Sequence, residues 1–153
     1  MTEQIWFEDF IPGTVLRSKP RLITLDDIDR YAALTGEDHP VHMDEDFARA
    51  AGFRGRIAHG LFGLALIEGL KARLGVFDCS VVASLGWDKV KFTAPLEPGD
   101  LVHLELTLVE KRPSSRPGRG IATEHGALVK QDGTVVTSGD HVIVLLARPQ
   151  NAT

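Results

Sequence analysis

Near residue 79 the hydrophobic period of this chain changes from about 3.6 residues to 2, and that switch limits the possible folds more than any other feature. Before it, Leu61, Leu64, Ala65, Leu66, Ile67, Leu70 and Leu74 crowd into one stretch that opens after His59-Gly60 and stops at Gly75. This spacing predicts a long helix over about 60–74, apolar on most sides and therefore buried. After the switch, Val81–Phe92, Leu101–Glu110, Ile121–Lys130 and Thr134–Leu146 read as strands. In the second of them Val102, Leu104, Leu106 and Leu108 alternate with His103, Glu105 and Thr107, so one face belongs to a core and the other to solvent. Glu97-Pro-Gly-Asp100 has Pro and Gly where a type II turn needs them, and Asp132-Gly133 is a hairpin signal. A buried helix followed by a run of antiparallel strands is an α+β arrangement, with the helix against the concave face of the sheet.

The segment before the helix reads as one more strand and two shorter helices. Residues 14–23 are strand-like, with Pro20 marking an edge or a bulge. Thr24 is a good N-cap, Asp26 and Asp27 suit a positive helix end, and Leu25, Ile28, Ala32 and Leu34 form a stripe that ends at Gly36. Asp44 is a second cap, for a short helix through Phe47, Ala48 and Ala51 closed by Gly52. The 153 residues fit one domain spanning 1–153. A net charge of −4 offers no basic field to nucleic acid. Cys79 is alone, so it forms no intrachain disulfide, and it reads as a packed thiol. The N-terminus has no basic region of the signal-peptide kind, and the longest apolar run, Leu61–Leu70, is too short to span a bilayer and contains Glu68. These features lead us to expect a soluble, cytoplasmic protein with no membrane partner.

The chemistry-bearing residues gather just before the helix. Glu37-Asp38-His39-Pro40-Val41-His42 puts carboxylates and imidazoles on one Pro-containing loop, and His59-Gly60 follows at the helix start. Further on stands Val90-Lys-Phe-Thr-Ala-Pro-Leu-Glu-Pro-Gly-Asp100. Together, Tyr31 … Gly36-Glu37-Asp38-His39-Pro40-Val41-His42 … Ala48, Gly55-Arg-Ile-Ala-His-Gly-Leu-Phe62 and the 90–100 segment resemble the MaoC-like dehydratase and (R)-specific enoyl-CoA hydratase family. The resemblance runs over roughly residues 8–147. It implies a single hot-dog domain, an antiparallel sheet wrapped around one long central helix, and a homodimer in which the loop and the helix end are brought together at the interface. Two positions depart from the family motif: its catalytic Asp falls on Glu37, and its Asn on His39. Hydratases of the family often carry a serine where this helix has Glu68.

Adding water to a trans-2-enoyl thioester needs a base for the attacking water, a proton for C2, and donors for the oxygen of the forming enolate. Glu37 and His42 can share the first two tasks, and the backbone N–H of Gly60 at the helix start can serve the third. Asp38 is an alternative acid. His39 is expected to support the loop, as the motif's Asn would, and His59 to orient the helix start. Glu68 either faces the site or forms an ion pair, because a carboxylate on a buried helix is costly to leave alone. The expected substrate is an acyl-coenzyme A or acyl carrier protein thioester, with no further cofactor and no metal. Arg54, Arg56, Arg112, Arg116 and Arg119 are candidate contacts for the phosphates of coenzyme A, since guanidinium suits such groups. Phe62, Leu66, Trp87 and Phe92 are candidate liners of the acyl pocket. Two other functions fit the same residues. One is a hot-dog acyl-CoA thioesterase using Glu68. The other is a non-catalytic acyl-thioester-binding protein.

Overall fold

A computed structural model describes residues 3–150. Six strands form one antiparallel sheet in the order β1-β4-β5-β6-β3, with β2 also paired to β4. The strands are β1 (Val15–Arg17), β2 (Arg21–Leu22), β3 (Val81–Phe92), β4 (Leu101–Pro113), β5 (Arg119–Lys130) and β6 (Val135–Leu146). Four helices precede the long strands: α1 (Leu25–Thr35), α2 (Pro40–Met43), α3 (Glu45–Ala50) and α4 (Gly60–Ala72).

Local signals set most boundaries. Thr24 and Asp27 form a capping box, Thr24 Oγ1 accepting from Asp27 N at 3.2 Å and Asp27 Oδ2 from Thr24 N at 3.0 Å. Asp44 accepts from Phe47 N at 2.9 Å and starts α3. At the 97–100 turn Asp100 N donates to Glu97 O at 3.1 Å, and Gly99 at φ 94° supplies the positive φ of a type II turn. The expected 14–23 strand is two short pieces on either side of Pro20, because proline has no N–H to give to the ladder. α2 falls where a loop is expected. Pro40 sits at its first position, where the missing N–H costs nothing. α4 ends at Ala72 rather than Leu74. Its last turn tightens, with Leu74 N donating to Lys71 O and Gly75 N to Ala72 O.

The core lies between the sheet and α4. Ile67 of α4 and Leu104, Leu106, Leu128, Ile143 and Leu145 of the sheet belong to one core, all at 0% exposure. Burying each such side chain contributes about 1.5–3 kcal/mol. α4 follows β6 in direction. Gly63 lies against Thr137, so closely that a Cβ at Gly63 would stand 2.4 Å from Thr137 Oγ1, and Glu68 reaches His141 further along. Within the single chain α4 is covered on one face only. Phe62, Gly63, Leu66, Ile67, Leu70 and Lys71 are buried, while Leu61 is 61% exposed and Ala65 is also open. A helix apolar on most sides is therefore half uncovered here. Cys79 is exposed, not packed. No helix among the described residues is long and apolar enough to cross a membrane.

Candidate active site

The chain leaves α1 at Gly36 and enters a loop that its own side chains hold in shape. Thr35 Oγ1 accepts from Glu37 N at 3.3 Å, and Glu37 Oε1 accepts from His39 N at 3.3 Å. His39 caps α2, its Nδ1 accepting from Val41 N at 3.2 Å. One turn of helix then delivers His42 inward, to a side-chain exposure of 12%.

His42 is oriented by its own hydrogen bond. Nδ1 lies 2.8 Å from the carbonyl of Ile57, which only an N–H at that nitrogen can satisfy, so in the neutral ring Nε2 carries the free lone pair. Nε2 faces Glu37 Oε2 at 3.6 Å. Burial, the largest influence, pushes the His42 pKa below its usual 6.5 and keeps the ring neutral, against the opposing pull of the Ile57 carbonyl and the Glu37 carboxylate. His59 stacks on it, ring centres 3.9 Å apart, and donates from Nε2 to the Glu37 carbonyl at 2.8 Å. Tyr31 of α1 packs against His59, ring centres 4.8 Å apart and tilted at 47°. Gly60 is the first residue of α4, so its N–H has no partner within the helix. Arg56, not expected in this role, braces the loop: Nε donates to the His42 carbonyl at 2.5 Å and Nη2 pairs with Asp29.

His42, His59 and Gly60 border a cavity of about 410 Å³, whose lining does not include Glu37, Tyr31 or Arg56. His42, His59 and Gly60 form one wall, and Phe92, Pro95 and Val136 form the apolar part of the rest. His42, His59 and Gly60 converge within one chain. Phe92 is the one expected liner that borders this cavity. Phe62 packs against Tyr31 at 5.3 Å, Leu66 lies in the core, and Trp87 stacks on His141 at 4.3 Å.

The remaining candidates lie elsewhere. Asp38 is exposed and makes no hydrogen bond or ion pair among the described residues. Glu68 forms an ion pair rather than facing the cavity, its Oε1 lying 2.9 Å from His141 Nδ1. Arg54 is paired with Glu97 at 2.5 Å, and both Arg54 and Arg56 border a separate cavity of about 470 Å³. Arg112, Arg116 and Arg119 sit at the β4–β5 hairpin, beyond the C-terminal end of α4. Glu124 of β5 already lies at that end, beside Lys71, and Arg119 lies five residues further along the strand, so in one chain none of the three borders the cavity. The sequence reading missed a charged cluster of Lys71, Glu124 and His141. Its signal is phase: Glu124 and His141 occupy buried positions of their strands' alternation, and Lys71 follows Leu70 on the buried face of α4.

Two groups bring three possible ligand atoms within 4.8 Å of one another, Glu37-His42-His59 and Glu68-Glu124-His141. In the first, His59 Nε2 already donates to the Glu37 carbonyl, so only His42 Nε2 and the Glu37 carboxylate are free to bind, too few for a metal. In the second, the Lys71 ammonium bonds Glu124 and opposes a cation. Neither donor set suits a metal.

Residues 7–129 match the family described as the MaoC like domain. The chain belongs to that family. The MaoC-like chain is 33% identical over 115 residues to the 3-hydroxybutyryl-CoA dehydratase of Methylorubrum extorquens, covering 75% of this chain and 71% of that one. It is 34% identical over 106 residues to the Protein MaoC of Klebsiella aerogenes, a match over 69% of this chain and 31% of that protein, so the chain spans about a third of that relative. The crystal structure of the MaoC-like dehydratase from Rhodospirillum rubrum superposes with a TM-score of 0.83 at 27% identity, over 94% of this chain and 98% of that one. The sheet wrapped around α4 is the hot-dog fold.

Proposed function

We propose that this MaoC-like chain is a hydro-lyase that adds water to trans-2-enoyl thioesters or, in reverse, dehydrates 3-hydroxyacyl thioesters. The observation that carries this reading is the Glu37–His42 pair at 3.6 Å, with the lone pair of His42 Nε2 turned to the carboxylate, beside a cavity that Gly60 also borders. A water seated between the two groups loses a proton to His42 Nε2 as its oxygen bonds to C3. That proton passes from the His42 imidazolium to the Glu37 carboxylate and on to C2, which leaves both groups as they began. The Gly60 N–H, at the positive end of α4, holds the enolate oxygen. Dehydration uses the same groups in the opposite order.

The relatives support a thioester substrate: a 3-hydroxybutyryl-CoA dehydratase and the (R)-specific enoyl-CoA hydratase of Rhodospirillum rubrum, 32% identical over 111 residues. The carrier is coenzyme A or acyl carrier protein; Arg54 and Arg56 adjoin the lining residues Phe53 and Ile57, and of the two Arg54 is exposed enough to meet its phosphates. We place the protein in the cytoplasm as a homodimer. Leu61 and Phe92, 61% and 52% exposed beside Gly60, are apolar surface that a second chain would cover.

The test is one assay with a short trans-2-enoyl-CoA, following enoyl absorbance and free thiol together. Absorbance loss without thiol is expected, and its disappearance in His42→Ala and Glu37→Gln dimers that remain folded. Thiol release in place of hydration, or normal turnover in either variant, would overturn the assignment.

A further inference from the structure

Phe92 of β3 pairs with Thr137 of β6, and both line the cavity. They lie against the first turn of α4. A Cβ at Gly60 would stand 3.1 Å from the Phe92 ring, and one at Gly63 would stand 2.4 Å from Thr137 Oγ1. Every second residue of a strand returns to the same face. After Thr137, β6 therefore turns Gly139 and then His141 towards α4, all three of them buried, and His141 pairs with Trp87 of β3. The two strands thus set three rungs along the groove beneath α4, each about 6.8 Å from the next.

The middle rung has no side chain from β6, yet its space is filled. A Cβ at Gly139 would stand 3.1 Å from Trp87 Cε3 and 3.2 Å from Val90 Cγ2, so the indole and the valine lie over the glycine. The indole is held in place. It lies flat on the His141 ring, 4.3 Å away at 5°, and that imidazole is fixed in turn by Glu68 Oε1 at 2.9 Å and Glu124 Oε1 at 3.0 Å. Lys71 bonds Glu124 as well, so the groove ends against charge rather than apolar surface. The two ends of the cavity differ in the same sense. Thr93 and Pro95 at its mouth are exposed, whereas Gly63, Val136 and Thr137 at its inner end are buried.

We propose that Trp87 and Val90 set the acyl-length limit of this site, so that the protein takes short acyl thioesters. The proposal rests on the reading that the thioester carbonyl meets the Gly60 N–H. The polar carrier then leaves through the exposed mouth, and the acyl tail enters between Gly63 and Phe92 and points along the groove towards Gly139. One rung of about 6.8 Å matches about five carbon–carbon bonds, which puts the limit near six carbons. A longer tail meets the indole and folds back or stays in water, and each further methylene forfeits the gain of burial. Trp87 and Val90 determine specificity and touch none of the reacting atoms. The ring lies on the α4 side of the sheet, so a second copy paired along the edge of β3 does not displace it.

The test uses the full chain and saturated acyl-CoAs, which bind without reacting. Butyryl-CoA and decanoyl-CoA are titrated by calorimetry, and kcat/KM is compared in parallel for trans-2-butenoyl-CoA and trans-2-decenoyl-CoA. Wild type is expected to favour the short chain by about 10-fold or more in both readouts, the scale on which a pocket rejects surplus methylenes. Trp87→Leu and Val90→Ala should each narrow that ratio several-fold. Val90→Ala keeps the cover on His141 and so serves if Trp87→Leu does not fold. Equal affinity of wild type for the two chains, or a ratio that neither variant narrows, would overturn the proposal. Short-chain binding without turnover would overturn the hydration reading and leave the length limit standing. Binding of neither thioester would overturn both.

Discussion

The imidazole rings of His42 and His59 stack 3.9 Å apart at an interplanar angle of 27°. His59 also holds the Glu37 carbonyl through Nε2, so one ring fixes both halves of the acid–base pair: the backbone of one and the plane of the other. His59→Phe keeps the stack and deletes that hydrogen bond. Loosening of the Glu37 loop is expected to lower kcat for hydration about 10–100-fold, since an ångström of misplacement costs that much. KM should move far less, and steady-state kinetics would separate the two.

His42→Ala and Glu37→Gln each remove one proton-transfer partner, and each should lower kcat about 10²–10⁴-fold. Glu37→Asp draws the carboxylate back by one methylene from an Nε2 already 3.6 Å away, so a smaller loss is expected. An Asp variant faster than wild type would mean that the working carboxylate does not occupy the position described for Glu37.

The two buried histidines should respond to pH in opposite senses. His42 has its pKa below 6.5, and the neutral ring is the base. Hydration kcat/KM should therefore hold steady as pH falls through 6.5 and decline only below the folded-state pKa. His141 has its pKa raised: burial lowers it, but the carboxylates of Glu124 and Glu68 outweigh burial. Its contribution to stability is fully present below 6.5 and is lost as pH rises through the folded-state value. Urea unfolding of wild type and His141→Gln between about pH 5.5 and 8.5 should show a stability gap that narrows as pH rises. A constant gap would contradict this.

Gly60 is constrained by a neighbour. A Cβ there would stand 3.1 Å from the ring of Phe92, tighter than the ring tolerates without moving. Gly60→Ala should lower activity by shifting Phe92 or narrowing the approach to the Gly60 N–H. Combining it with Phe92→Leu should recover part of the loss, measured as a double-mutant cycle on kcat/KM.

Arg56 is 14% exposed in its side chain and ties the His42 carbonyl to Asp29. Arg56→Met should lower stability by about 1–3 kcal/mol, because it removes a charge-assisted hydrogen bond and leaves a half-buried carbonyl unmet. Arg54→Met should unfold at the same urea concentration as wild type, its guanidinium being 86% exposed.

The parts of the fold that depend on neighbours in sequence were legible. Thr24, Asp44, the 97–100 turn and the Asp132-Gly133 hairpin each carry their own hydrogen-bond logic. β3 was legible as a strand with its ends at Val81 and Phe92, although its burial does not alternate. Of the site, the placement of His42, His59 and Gly60 on one wall followed from motif order. The bracing contacts of Arg56 were not legible because its partners, Asp29 and the His42 carbonyl, are brought to it by the fold. The pocket liners went wrong for a related reason. An aromatic in a core pattern, such as Phe62 or Trp87, gives no sign of whether it meets a cavity or another ring. The Glu68 choice was decided by His141, a residue on a strand far along the chain.

Pro20 has a further consequence. By splitting the strand beside β4 into two short pieces, it leaves that margin of the sheet a poor template for any additional strand, with Arg17 and Lys19 adding charge there. The opposite margin, the twelve residues of β3, is long and carries apolar side chains. A sheet that can be extended from one side only, by a copy of itself, is complete after a single addition. The interruption at Pro20 thus acts as a stop against open-ended stacking, and it favours a closed pair over a fibre.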